Sequence, residues 1–92
     1  MRYIISYDIS SQKALKKTAK KLEDFAYRIQ KSVFMGDFSD AECKKLQQEI
    51  TPLIDRKTDS IIFLPVCQNC FEKLHHLGIV DINMQQGECM IL

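Results

Sequence analysis

No run of eighteen apolar residues occurs in this 92-residue chain, so nothing in it reads as a transmembrane helix. The first residues, Met1 to Asp8, hold too short an apolar stretch for a secretory leader and soon meet an acid, so the expected location is cytoplasmic, with no membrane partner. Internal repeats, linkers and low-complexity segments are also missing, and the length leaves no room for two cores. The four cysteines, at 43, 67, 70 and 89, do not have the look of a secreted disulfide scaffold. Only Cys67 and Cys70 are close in sequence. Two thiolates are half of a structural zinc site, so these are expected to be reduced, buried or half-buried structural thiols. His75 and His76 are expected at the surface.

An excess of charge of either sign is lacking, since the net value is +1, but the charges are unevenly spread. Residues 1–31 hold eight Lys or Arg against three acids, and the remaining 61 hold five against nine. A strongly positive patch can therefore sit on a nearly neutral molecule.

Apolar and β-branched residues from Tyr3 to Tyr7 predict a strand, and Asp8-Ile9-Ser10-Ser11 ends it with helix-capping residues. Leu15, Ala19, Leu22 and Phe25/Ala26 recur at helical spacing, with most lysines of that segment on the other face. Arg28 to Phe34 alternates and predicts one second strand, ending near Gly36. Ser39-Asp40-Ala41-Glu42 is a capping-box sequence opening a second helix, with Cys43, Leu46, Ile50, Leu53 and Ile54 on one face and Pro52 kinking or ending it. A third strand follows over Asp59 to Pro65, then a short helix within 68–76, stopped by Gly78. Further strands are expected at Ile79–Ile82 and within Glu88–Leu92. A βαββαβ order needs one more strand between the two long helices, which requires the second strand to be short or broken. An antiparallel sheet with both helices on one face leaves the other face to be covered, most simply by a second subunit.

Several blocks in this order resemble the CRISPR-associated Cas-two family. They are the strand ending in Tyr7-Asp8-Ile9-Ser10, the basic helix, and Arg28-Ile29-Gln30-Lys31-Ser32-Val33-Phe34-Met35-Gly36. The last of these is similar to the family's Arg-Val-Gln-x-Ser-Val-Phe-x-Gly signature. The Asp59-Ser60 strand opening and Cys67-x-x-Cys70 with Leu74 and Gly78 follow. The resemblance implies an α+β, ferredoxin-like βαββαβ sandwich over residues 1–78. Residues 79–92 would be a C-terminal extension supplying an extra strand at the interface of a homodimer. It also implies a CRISPR adaptation subunit that holds duplex DNA beside the Cas-one integrase, and in many relatives a metal-dependent nuclease acting on RNA or double-stranded DNA. A toxin-like ribonuclease acting on its own is the alternative.

On that resemblance Asp8 is the expected Mg²⁺ ligand and catalytic carboxylate, paired with a second Asp8 across a two-fold axis. On its residue type alone, Asp8 also reads as a cap of the following helix. Tyr7, Arg28 and Phe34 match positions tied to activity in the family. Lys13, Lys16, Lys17, Lys20, Arg28 and Lys31 are the expected nucleic-acid contacts. Where relatives carry paired arginines at the start of the first helix, this chain has Lys13-Ala14-Leu15. Lysine is a point charge without the bidentate guanidinium fork.

Overall fold

A computed structural model describes residues 1–78 of the chain. Strand β1 (Arg2–Asp8) leads to helix α1 (Gln12–Glu23), strands β2 (Tyr27–Gln30) and β3 (Val33–Asp37), helix α2 (Asp40–Ile50), strand β4 (Ser60–Val66) and the short helix α3 (Gln68–Glu72). The sheet has four strands in the order β2-β3-β1-β4, and every neighbouring pair is antiparallel. This is a mixed α+β architecture with an open sheet.

The helices begin where the capping chemistry places them. Ser11 accepts the Ala14 N–H at 3.3 Å and starts α1. At α2 the capping box is complete: Ser39 Oγ accepts the Glu42 N–H at 3.1 Å, and Glu42 Oε1 accepts the Ser39 N–H at 2.9 Å. Those two bonds satisfy donors that the helix itself cannot. Pro52 lies in a 3-10 turn over Thr51–Leu53 that ends α2, where its missing N–H costs little.

One expectation is corrected: Arg28 to Phe34 is not a single strand but a hairpin. The chain reverses at Lys31-Ser32, so Gln30 faces Val33 and Arg28 faces Phe34, with an irregularity between Arg28 and Gln30. The turn carries no glycine or asparagine, and among the described residues only Gly78 has positive φ. The usual punctuation of a two-residue hairpin is therefore absent from the sequence. The break supplies the strand that the βαββαβ order lacked.

Residues of β1 alternate. Tyr3, Ile5 and Tyr7 point under the two long helices and join Ala19, Leu22, Phe34, Leu46 and Ile50 in the main core. The opposite face carries a smaller cluster in which Ile29, Met35 and Phe71 are buried against Ile4, Val33, Val66 and Leu74. Helix α3 thus covers part of that second face. On β4 the cover stops: Ile62 and Leu64 are 58% and 53% exposed. This apolar strand lies at the sheet edge, where Pro65 is tolerated because no further ladder bond is needed. The strands expected at 79–82 and 88–92 lie outside the described residues.

Gly36 shows how tightly the main core closes. A Cβ there would stand 2.6 Å from the Phe38 ring, 3.0 Å from Ala26 Cβ and 3.0 Å from the Phe25 carbonyl oxygen. The carbonyl belongs to backbone and cannot swing away. Gly36→Ala is expected to cost about 1–3 kcal/mol by overpacking, read from the urea midpoint. A change below about 0.5 kcal/mol would show that the α1–β2 connection yields more easily than this packing implies.

Candidate functional site

Asp8 ends β1, paired with Ser60 of β4. The strand's alternation puts Arg2, Ile4, Ser6 and Asp8 on the face away from the long helices. Its side chain is exposed. Helix α1 is capped by Ser11, so the capping role that an aspartate here suggested is filled by another residue. Among the described residues no hydrogen bond or ion pair engages the Asp8 carboxylate, and no group of three or more His, Cys, Asp or Glu stands together to hold a metal.

The loop after Asp8 is fixed from two sides. Ile9 is buried in the main core. Asp59, just before β4, accepts the Ser10 N–H at 3.0 Å and the Asp55 N–H at 2.9 Å, and Thr58 Oγ1 donates to it at 3.1 Å. The backbone N–H of Asp55, then that of Ser10, hold the Asp59 carboxyl below the usual aspartate range. Sequence reasoning marked Asp59 only as a strand opening. Its role as a tie between two loops depends on a contact 49 residues apart in sequence.

Tyr7, Arg28 and Phe34 meet on the other face of the sheet. The Tyr7 and Phe34 rings stack with centroids 6.1 Å apart, and the Arg28 guanidinium lies 5.0 Å from the Phe34 centroid. The Arg28 guanidinium also donates to the Lys31 carbonyl at 3.1 Å and pairs with Glu23 at 3.5 Å. Tyr7 O–H reaches the same carbonyl at 3.4 Å. Burial pushes the Tyr7 pKa up, partly opposed by the Arg28 charge. The four expected catalytic residues therefore fall into two groups. Three surround the β2–β3 turn on the helix side, and Asp8 projects from the opposite side.

The expected nucleic-acid contacts divide similarly. Lys13, Lys16, Lys17 and Lys20 are exposed on α1 at spacings of three and four, which forms one stripe opposite the buried Thr18, Ala19 and Leu22. Lys31 is exposed at the hairpin turn. Arg28 is engaged within the fold, as described. Lys21, next to the stripe, bonds Glu49 of α2 at 2.9 Å and so serves helix packing. A second correction concerns the thiols: Cys67 and Cys70 are exposed, whereas Cys43 is buried. Cys67 is the N-cap of α3 and Cys70 stands in its first turn, and the buried residue of that helix is Phe71.

The family profile described as CRISPR associated protein Cas2 matches residues 1–74. The chain belongs to the Cas2 family. A CRISPR-associated endoribonuclease Cas2 of Rhodospirillum rubrum is 38% identical over 84% of this chain, which spans 62% of that relative's length. Another from Synechocystis is 34% identical over 97% of both chains, and a CRISPR-associated endonuclease Cas2 from Halalkalibacterium halodurans is 31% identical over 85% and 86%. Among solved structures, Streptococcus pyogenes Cas2 superposes with a TM-score of 0.78 at 32% identity, covering 85% of this chain and all of that one. A hypothetical protein from Thermus thermophilus reaches 0.79 at 25% identity, over 88% and 94%. As in the sequence reading, no helix among the described residues is long and apolar enough to cross a membrane.

Proposed function

We propose that this Cas2-family chain works as a ferredoxin-like homodimer that grips nucleic acid and hydrolyses phosphodiester bonds at a metal held between two Asp8 carboxylates. The supporting observation is Asp8 itself: an exposed carboxylate at a strand end, unengaged among the described residues, on the sheet face that a second copy would approach. One carboxylate per chain is a poor site alone. Two from a two-fold pair, completed by water and a phosphate oxygen, suit Mg²⁺, which prefers oxygen ligands and keeps much of its hydration. The metal supplies charge stabilisation at the phosphoryl oxygen and a more acidic bound water. Asp59 contributes by fixing the loop that follows Asp8.

Cleavage of labelled RNA and of duplex DNA, with Mg²⁺ and with chelator, tests this reading. A metal of this kind contributes several kcal/mol to the transition state, at about 1.4 kcal/mol per tenfold. Asp8→Ala is therefore expected to lower cleavage by about 10²–10³-fold, with the fold intact by circular dichroism. Equal cutting by Asp8→Ala and the parent would sink the Asp8 site.

The α1 stripe supports the binding half of the proposal, in which duplex DNA lies along the dimer in company with the Cas-one integrase. Neutralising phosphates releases counterions, so affinity falls with salt at a slope of about −0.9 per phosphate contacted. Replacing Lys16 and Lys17 with Gln removes four charges per dimer. It is expected to flatten the slope of log K against log salt by up to about 3.6, equally for unrelated duplex sequences. An unchanged slope would place the DNA elsewhere.

A further inference from the structure

Neither the nuclease reading nor the DNA surface uses Cys67 and Cys70, yet their placement is specific. Cys67 precedes α3 with extended backbone, and its sulfur accepts the Cys70 N–H at 3.4 Å. Both thiols are exposed. Cys43 is shielded by comparison: it is buried beneath α2, and its sulfur accepts from Gln47 Nε2 at 3.3 Å. Among the described residues no third or fourth ligand joins the pair, where a structural zinc site takes four.

We propose that Cys67 and Cys70 form a reversible dithiol–disulfide couple, closing within the first turn of α3, with Cys67 as the attacking sulfur and Cys70 as the resolving one. The co-reactant is a small-molecule disulfide such as oxidised glutathione. Cys67 thiolate attacks one of its sulfurs, forms a mixed disulfide and releases one thiolate. Cys70 then gives up its proton and attacks the Cys67 sulfur, which releases the second thiolate. Two electrons pass from the protein to the small disulfide, and the two protons end on the two small thiols.

The asymmetry of roles follows from the hydrogen bonds. The Cys70 backbone N–H, the Cys70 side chain and the Asn69 N–H stabilise a thiolate at Cys67 and lower its pKa. Cys70 is pushed the other way by its bond to Cys67 and by the charge that sulfur carries. The consequence of closure is structural. Helix α3 carries Phe71, which covers Ile29 and Met35 on the second sheet face. Arg2 lies 3.8 Å over the Phe71 ring and donates to Gln68 at 3.0 Å. A cross-link at the start of α3 fixes the turn from which this cover is hung.

The test is to equilibrate the full chain in glutathione buffers of graded oxidation, quench with acid and alkylating agent, and map the peptides. The expected result is an intramolecular Cys67–Cys70 disulfide with Cys43 still reduced. In Cys70→Ser a stable glutathione adduct is expected on Cys67, forming at least about tenfold faster than the adduct on Cys70 in Cys67→Ser. Both positions are exposed, so both variants are expected to keep the parent's circular dichroism. Three results would overturn the proposal: only disulfides between chains, equal rates in the two variants, or a fully reduced pair in oxidised glutathione alone.

Discussion

Phe34→Ala is expected to remove about 3–5 kcal/mol of stability, the range for deleting a fully buried aromatic ring. Phe34 is completely buried and sits on β3 opposite Ile5 of β1. The Tyr7 ring stacks on it and the Arg28 guanidinium lies over it. No neighbour can fill the void cheaply, because Ile5 and Leu22 of the same core are also fully buried. A chain of this size has roughly 5–14 kcal/mol in total, so the variant is expected to melt on the order of 20 °C lower. Two companion variants separate the contributions. Arg28→Met loses a cation–π contact, the hydrogen bond to the Lys31 carbonyl and a partly exposed ion pair, worth about 1–2 kcal/mol together. Tyr7→Phe loses only a long hydrogen bond at 3.4 Å and is expected to change little. Thermal and urea unfolding read all three. A Phe34→Ala cost below that of Arg28→Met would mean that the ring is not the centre of this core. Cleavage by Phe34→Ala, measured well below its melting point, is expected to stay near the parent's, since the ring and Asp8 are on opposite faces of the sheet.

That separation marks the boundary of what was legible in the sequence. Periodicity and capping located β1, β4 and the starts of α1 and α2 within a residue or two, because each has its own local signal: Ser11 and Ser39 for the helix starts, and the runs ending at Tyr7 and Pro65 for the strands; the apolar pattern ran past both helix ends, to Phe25/Ala26 and to Ile54. The β2–β3 hairpin was hidden because Lys31-Ser32 lacks turn chemistry and the bulge after Arg28 keeps the apparent alternation running through it. The candidate site was legible as a set of residues but not as an arrangement. Motif matching names Tyr7 and Asp8 together, yet adjacent residues on a strand point to opposite faces. The structure therefore makes Tyr7, Arg28 and Phe34 a packing group and leaves Asp8 apart from them. Asp59 and Glu23 escaped notice for a different reason. Their roles are contacts with Ser10 and Arg28, and only the folded chain brings Asp59 to the loop beside Asp8.

Leu64→Asp is expected to convert the proposed dimer into a monomer. Among the described residues, Ile62 and Leu64 are the two large apolar side chains of β4 left more than half exposed, on the same face as Ile4, Ser6 and Asp8. A second copy laid on this face would shelter them and bring the two Asp8 carboxylates toward one axis, so both halves of the proposed function depend on it. Fully burying an aliphatic side chain contributes about 1.5–3 kcal/mol, and Leu64, 53% exposed in the single chain, gains about half of that. In a two-fold interface each substitution counts twice. The loss is then about 1.5–3 kcal/mol, or about 10–150-fold in dissociation constant, before the cost of placing two like charges near the axis. Light scattering across a dilution series reads the association directly. The monomer is expected to keep the parent's circular dichroism, because Leu64 makes no contribution to the main core. Its cleavage activity is expected to fall with the dimer fraction, as a site shared between chains requires. Should the parent itself scatter as a monomer at high concentration, the shared carboxylate site would fall with the dimer. A Leu64→Asp monomer that still cuts at the parent's rate would place the chemistry within one chain.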